Sequence, residues 1–526
     1  MKLSFLTQAL TVALEKSRQT IGTPGGERIS ISRTVSAVAV LYEKVRVAME
    51  YREEHLMRRA AIERIIKRRL ILNENGRGIA EYLLKELLWA KYAPEDSIPI
   101  AQIPNIQRTV DKYIFLRNEI GRGRPREEQM RVHEWLISSA AAEVEQKLAP
   151  NQEREAFINF IFRYFQKKVF LKDETDQTKN IQVYVAVHHA FAKSDDDFIR
   201  YELLKLSFPH LFPASWKEVQ NETGKIYETL ISIQEQLKHK LSTRLTRSLK
   251  KEIAPFLILR DLYEQDKKNF KTIIEDTAKL EEHIDRLCRK RYQEIGKKYA
   301  TAATRSIIYI FLTKMLFAIA LEYPFERYIA KAFNPVPLVI NTVFPPILMF
   351  VALIGISAPG QDNTKRIIAR LKEILYQESS NEHQITLALK TPQGRPFLRF
   401  IFSLLYLITF TFVFGVITLY LTILHFNAAS IAIFIFFISV VLFFAYRIRQ
   451  TGREYTIGRK EGIFSPVIHL FLLPILDVGK WLSNEISRLN VLVVIFDFII
   501  EAPFKAIFEV FEEWFSFIKK KKDEII

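Results

Sequence analysis

The chain has 526 residues, a net charge of +17 at pH 7 and a single cysteine, Cys288. One cysteine excludes an intrachain disulfide and a cysteine-based zinc site within one chain. The basic charge balance suits anionic lipid or nucleic acid as a partner. Long apolar runs beyond residue 304 favour lipid over nucleic acid.

Residues 1–210 are rich in charge, and their apolar residues recur three and four positions apart, as in helices. Stretches such as TPGGER and GRGRPREE predict loops between these helices. We therefore expect a cytoplasmic helical domain. Its basic run from Arg58 to Arg69 could grip phosphates, but the interleaved isoleucines favour an amphipathic bundle helix.

The histidines His188 and His189, followed by Asp195, Asp196 and Asp197, are the one cluster with metal-ligand chemistry. Side chains of adjacent helical residues diverge by about 100 degrees, so both histidines rarely bind one ion. The favoured interpretation is one packed histidine, followed by aspartates at the start of a helix. A membrane-tethered enzyme using this cluster is an alternative.

Residues 211–304 are predicted to form a helical hairpin or coiled-coil stalk, with arms at about 215–252 and 257–300. Two ordinary bundle helices are the alternative. Ser215 and Glu218 have the spacing of a capping box at the start of the first arm. The second arm contains no proline after 257, so we expect it to continue into the first apolar segment. The apolar stripe of the first arm consists of Ile226, Leu230, Ile233, Leu237, Leu241, Leu245 and Leu249.

Residues 305–450 contain four apolar segments that are long enough to cross about 30 Å of hydrocarbon as helices. They predict a four-span transmembrane domain. The short uncharged turn HFNA between the last two predicts that these two form an antiparallel pair. The four segments are 306–323, 335–357, 398–424 and 428–446.

Lysine and arginine concentrate before the first segment, between the second and third, and after the fourth. Because such residues are retained on the cytoplasmic side, we expect a multi-pass membrane protein with both termini in the cytoplasm, in the cell membrane if the protein is bacterial.

Residues 451–526 are predicted to form re-entrant or interfacial amphipathic helices and a basic tail. The apolar stretch at 464–476 is too short to span the bilayer. In the segment that follows, polar residues recur every four positions, which predicts an amphipathic helix.

Four residues are candidates for polar groups inside the membrane: Lys314, Asn341, Asp497 and Glu501. Lys314 lies near the middle of the first segment, where an ammonium group is costly unless it reaches water or a partner. Our hypothesis is that it pairs with Asp497 or Glu501 of an inserted C-terminal helix, and snorkelling to the interface is the alternative. Asn341 and the proline pair after it interrupt the second segment, and a broken helix can line an ion or substrate site.

A second set of candidates is basic and would contact anionic headgroups at the membrane surface. Part of it lies in 364–377, where apolar residues at helical spacing oppose basic ones and predict a surface helix. These candidates are Lys365, Arg366, Arg370, Lys519, Lys520, Lys521 and Lys522.

The fold class expected from these features is all-α: a polytopic membrane domain, preceded by a cytoplasmic helical-bundle or coiled-coil region and followed by amphipathic interfacial helices. No phosphate-binding loop and no hydrolase or metalloprotease motif occurs, so we expect a non-enzymatic protein without a cofactor. The leading hypothesis is a membrane-anchored scaffold or assembly factor that binds other proteins or itself through its cytoplasmic helices. The alternative is an oligomeric channel or transporter with a pathway near Lys314, Asn341 and the acidic C-terminal helix.

Overall fold

A computed structural model gives the structure of the chain, and the residues that it describes are mostly helical, with very little strand. The all-α prediction is therefore confirmed. The residues that the structure describes are 2–19, 27–29, 54–95, 97–172, 174–212, 220–317, 324, 335–353, 359–377, 384–388, 396–457 and 465–488.

The described helices fall into two compact units. The N-terminal unit comprises Phe5–Leu249 together with a strand near residue 386, and the C-terminal unit comprises Lys250–Gln377 and Lys390–Leu492. The finer division at residues 210, 304 and 450 stays a prediction. The helices are α1 Phe5–Gln19, α2 Glu54–Leu72, α3 Ile79–Trp89, α4 Gln102–Gly121, α5 Arg126–Leu148, α6 Gln152–Lys168, α7 Asp176–Val187, α8 Asp196–Ser207, α9 Thr223–Leu237, α10 Ser242–Glu252, α11 Ala254–Gln265, α12 Phe270–Glu275, α13 Thr277–Phe317, α14 Pro335–Leu353, α15 Gln361–Tyr376, α16 Pro396–Ile423, α17 Ala428–Thr451 and α18 Ser465–Arg488.

Helix α5 lies at the centre of the N-terminal unit and packs against α2, α4 and α8. Its middle carries the small residues Ser138, Ser139, Ala140, Ala141 and Ala142, all of them buried. Because the distance between packed helices depends on the side chains at their contact, this run lets three neighbours approach closely. The packing of α2, α4 and α8 around α5 thereby brings charged residues of these helices close together.

A short parallel pair of strands departs from the helical pattern. Strand β1, Val169–Lys172, pairs with β2, Ile385–Ala388, with Val169 opposite Ile385. Val169 and Leu171 are buried while the residues between and after them are exposed, which is the alternation of a half-buried strand. A pairing this remote along the chain leaves no local signal in the sequence.

The predicted hairpin arms are broken into shorter helices. Among the described residues, the first arm consists of two helices, α9 and α10. The second arm consists of three, α11, α12 and α13. The breaks follow from capping: Asp266 accepts a hydrogen bond from the backbone amide of Asn269 at 3.0 Å, and Asp276 accepts one from that of Ala278 at 3.0 Å. The prediction of two long, uninterrupted arms is therefore wrong. The apolar stripe of the first arm is buried, as predicted. Ser215 and Glu218 lie outside the described residues.

Helix α13 continues without interruption from Thr277 to Phe317, so the predicted continuity with the first apolar segment is confirmed as far as the structure describes it. The rest of that segment lies outside the described residues. Three other helices are long and apolar enough to cross a membrane, over Val336–Leu353, Phe400–Ile423 and Ala428–Ile448.

The apolar helices share their contacts unequally. Helix α17 packs mainly against α14 and α18, whereas α16 packs more against α18 than against α17, which it meets near the turn through Leu421 and Phe434. The antiparallel pairing of α16 and α17 stays a prediction. The turn between them contains His425 in the left-handed region, at a φ of 59°. Most of the apolar surface of α16 is exposed, as a lipid-facing helix requires.

Residues 465–476 form the first half of α18, a single helix of 24 residues that includes Pro474. The re-entrant or interfacial placement of this stretch stays a prediction. The amphipathic helix predicted further on lies outside the described residues.

Candidate functional site

A cavity of about 290 Å³ lies in the N-terminal unit, between helices α2, α5, α6, α7 and α8. Part of its wall is apolar, from Ile158, Phe198 and Leu206. Eight of the lining side chains are those of histidine, arginine, lysine or glutamate, and they come from positions spread over some 150 residues of sequence. They are His55, Arg58, Glu145, Glu155, Arg154, His188, Glu202 and Lys205.

Arg58 of α2 and Glu145 of α5 form an ion pair on one wall of the cavity. The Nε and Nη2 atoms of Arg58 donate to Oε1 of Glu145 at 3.2 and 3.1 Å, and Nη1 donates to the carbonyl oxygen of Tyr92 at 3.1 Å. Burial raises the pKa of Glu145 and outweighs the opposing effect of Arg58. The guanidinium is thus held rigidly by three bonds.

Arg154 of α6 joins both cavity histidines into one network. Its Nη2 atom lies 3.0 Å from Oγ of Ser194, 3.1 Å from the carbonyl oxygen of Ala192 and 2.9 Å from Nε2 of His55. The Oγ atom of Ser194 lies in turn 3.1 Å from Nδ1 of His188. The chain of contacts therefore runs from the guanidinium through the hydroxyl to the buried imidazole.

Each histidine uses one ring nitrogen in this network. A guanidinium only donates hydrogen bonds, so Nε2 of His55 accepts and its proton is on Nδ1. Nδ1 of His188 contacts the hydroxyl of Ser194, and its Nε2 is buried without a hydrogen-bond partner among the described residues. Burial, followed by the charge of Arg154, lowers the pKa of each imidazole to about 3, which keeps both rings neutral.

The backbone after α7 positions His188. One turn of π-helix, His188–Ala192, follows α7, and Lys193 then takes a left-handed conformation with a φ of 53°. This reverses the chain so that the amide of Ser194 donates to the carbonyl oxygen of His188 at 3.1 Å. Asp195 then caps α8 by accepting from the amide of Phe198 at 3.0 Å. Single π-turns of this kind are frequent at functional sites.

A second group of contacts in the cavity centres on Gln146. Its amide group donates to Glu202, while its Oε1 accepts from Lys205 and from the hydroxyl of Tyr201, each at 3.0 Å. Glu155 lies at the mouth, 4.0 Å from Lys205. Burial raises the pKa of Glu202, with Lys205 opposing. Charges of both signs therefore face the same small space.

The metal-site alternative for the histidine–aspartate cluster has no support in the geometry. His188 is buried at 1% exposure, His189 pairs with Asp196 at 3.2 Å, and both Asp195 and Asp197 pair with Arg59. The part of the chain that the structure describes contains no group of three His, Cys, Asp or Glu side chains that could hold a metal ion. The prediction of one packed histidine and a helix start is confirmed.

The basic run of α2 also behaves as a bundle helix. Arg68 and Arg69 both bind Glu86, and Lys67 binds Glu63 at 2.7 Å. Ile62, Ile65 and Ile66 are buried on the other face. The bundle interpretation of this run is confirmed, since Lys67, Arg68 and Arg69 are bound by carboxylates of the unit.

Two of the intramembrane candidates are fully buried in the C-terminal unit. The Nζ atom of Lys314 lies 4.4 Å from the ring centroid of Phe437, and the Nδ2 atom of Asn341 donates to the carbonyl oxygen of Ser430 at 3.3 Å. Such contacts bind α13 and α14 to α17. Asp497 and Glu501 lie outside the described residues, so their pairing with Lys314 stays a prediction.

The surface candidates of α15 need a correction. The apolar face of this helix packs against α11 and α13, so that Ile367 and Leu371 are completely buried. Arg370 is also buried and binds Glu252 at 3.1 Å and Glu373 at 2.5 Å. A free amphipathic surface helix is therefore wrong for this segment, and Arg370 is not available to headgroups. Lys365 and Arg366 are exposed, and the tail from Lys519 to Lys522 lies outside the described residues.

Sequence reasoning missed most of the cavity, including Arg154, Glu145 and Glu202. A usable signal existed for one of them, because Glu145 follows a run of small apolar residues in α5 where a solvated carboxylate is not expected. No protein family model, curated protein or solved structure matches the chain.

Proposed function

We propose that the chain is a membrane-anchored scaffold or assembly factor, whose N-terminal unit lies in the cytoplasm and binds other proteins. The apolar helices of the C-terminal unit supply the anchor, because three of them have the length and hydropathy to cross a bilayer. The observation that carries the binding role is the charged cavity of the N-terminal unit.

The dimensions of the cavity favour a small group as its occupant. About 290 Å³ is at the lower limit of ligand pockets, which suits a side chain or chain end of a partner better than a large cofactor. Binding energy at protein interfaces concentrates where such anchors fill pockets. A polar anchor is expected, since three cations and three carboxyl groups line the wall: Arg58, Arg154, Lys205, Glu145, Glu155 and Glu202.

The network around Arg154 supports recognition rather than simple packing. Its partners Ser194 and His188 are nearly inaccessible, so their orientation is fixed before anything binds. Groups held in place lose little conformational freedom on binding, which increases affinity. The wall residues Glu155 and Asn159 are exposed at the mouth and offer an approach.

Site-specific cross-linking in native membranes tests the binding role. A photoreactive amino acid at Asn159, at the mouth, should give a defined adduct with a partner protein, whereas the same group at the exposed Met130 should not. The variant Lys205→Glu should abolish the adduct, and the matched variant Lys167→Glu, on the exposed surface of α6, should leave it unchanged. Equal adducts from both positions, or no effect of Lys205→Glu, would contradict the proposal.

Topology provides a separate test. Tags at both ends of the chain should be accessible only from the cytoplasmic side, and the protein should stay with the membrane after a carbonate wash. Tags that report opposite compartments would disprove the arrangement of the anchor without affecting the cross-linking result.

A further inference from the structure

Helix α10 and the turn before it expose a surface of one charge sign. The sequence from residue 238 to 251 contains no aspartate or glutamate. Its basic side chains all point to solvent: Lys238, Lys240, Arg244, Arg247, Lys250 and Lys251. Such a concentration of cations raises the local concentration of anions.

This basic surface differs from the basic run of α2. There, the arginines bind carboxylates of the same unit. By contrast, five of the cations at α10 form no ion pair with any residue that the structure describes. These five are Lys238, Lys240, Arg247, Lys250 and Lys251. Their charge is therefore available to an external partner.

The other face of α10 limits how that partner can be bound. Leu241, Leu245 and Leu249 are buried at 1% exposure or less, so the apolar stripe is used within the protein. The helix cannot insert its apolar side into a bilayer, and contact must be electrostatic. Residues 238–251 also contain no Phe, Tyr or Trp on which bases could stack, which disfavours single-stranded nucleic acid.

We infer that the basic face of α10 binds the anionic headgroups of the bilayer that anchors the chain. Tethering makes this contact effectively intramolecular, so that weak individual attractions suffice. Clustered lysine and arginine residues are attracted to anionic leaflets, and each strengthens binding about fivefold near the surface. The contact is screened by salt, because the exposed charges lie in water.

The full chain can be tested in nanodiscs. A bimane label at Thr243→Cys, in a background with Cys288→Ala, reports on exposure of α10 through quenching by neutral acrylamide. Quenching should fall in discs of phosphatidylcholine mixed with phosphatidylglycerol, compared with discs of phosphatidylcholine alone, and it should recover at high salt. A label at Ile71→Cys, exposed on α2, should be quenched equally in both discs.

Removing two of the exposed cations of α10 and the turn before it tests whether their charge causes the docking. The double variant Lys238→Gln/Arg247→Gln should weaken the docked state about 25-fold, since two cations are lost. The inference is overturned if the label at Thr243→Cys is quenched equally in both discs, or if the double variant docks as the parent does. A change produced by added RNA but not by phosphatidylglycerol would also overturn it, and would identify nucleic acid as the partner.

Discussion

The ammonium group of Lys112 donates to both carboxylate oxygens of Glu143, at 3.1 and 2.9 Å, with each side chain only 2% exposed. A third bond runs from Lys112 to the carbonyl oxygen of Leu211 at 2.9 Å. Glu143 has a second cation, Lys147, at 2.7 Å. The pair therefore joins α4 to α5 at the core of the N-terminal unit. Glu143 contacts two cations, whereas Lys112 contacts one carboxylate.

Removing the carboxylate should cost more than removing the ammonium. In Glu143→Leu the buried Lys112 loses its carboxylate partner, and breaking a buried pair in this way costs about 3–5 kcal/mol. In Lys112→Met the carboxylate keeps Lys147, so a smaller loss is expected. Hydrogen exchange of α4 and α5 measures both, and an equal cost for the two variants would contradict the asymmetry.

Asp195 has two functions that a pair of variants can separate. It caps α8 and also binds the buried Arg59. Asp195→Asn keeps an oxygen for the cap, while Asp195→Ala loses the cap as well, worth about 1 kcal/mol more. We expect Asp195→Ala to be the less stable by that amount, measured as protection of the first turn of α8. A more stable alanine variant would show that the cap contributes nothing.

Acidification should destabilise the N-terminal unit through His55 and His188. Their pKa values are lowered to about 3 in the folded protein, against 6.5 for an ordinary histidine, so the unfolded chain binds more protons between these values. Stability is therefore lost as pH falls below 6.5, by about 2 kcal/mol for each histidine between pH 7 and pH 5. Glu145 and Glu202 act in the opposite sense, because their raised pKa values favour the folded state at low pH.

The histidine contribution is isolated by comparing pH profiles. His188→Gln cannot be protonated, so its stability should depend less on pH than that of the parent protein, whatever its absolute value. His239→Gln, a half-buried histidine of the same unit that pairs with Glu174, serves as the control. Parallel profiles for His188→Gln and the parent would refute the assignment.

Gly479 of α18 permits close packing against α17. A Cβ atom there would clash with the carbonyl oxygen of Ser439 and lie 2.7 Å from Cβ of Phe443. Gly479→Ala should therefore lower stability by about 1–3 kcal/mol, as overpacking does. Gly415→Ala on α16, where nothing lies within 4 Å, is the matched control and should not destabilise. Thermal unfolding in detergent compares them, and equal melting temperatures would contradict the clash.

The sequence predicted what depends on local periodicity. The stripe from Ile226 to Leu249 is buried, and α13 runs into the first apolar segment as expected. The helix breaks at Asp266 and Asp276 were missed because each is set by hydrogen bonds of a single side chain, which the spacing of apolar residues does not reveal.

The cavity could not be predicted for a different reason. Arg58 and Glu145 are 87 positions apart, and Arg154 and Ser194 are 40 apart, so each pair meets only through the packing of whole helices. The same holds for Arg370, whose burial depends on where α15 docks. Periodicity identifies the buried face of a helix but not the helix that covers it.

Helix α13 has 41 residues, which corresponds to a rod roughly 60 Å long, and no proline interrupts it. Its first half is charged and its last turns are apolar. A torque applied near Thr277 is therefore delivered near Phe317, because a continuous ladder of backbone hydrogen bonds resists twisting. A partner that rotates the charged end of α13 would therefore rotate its apolar end as well.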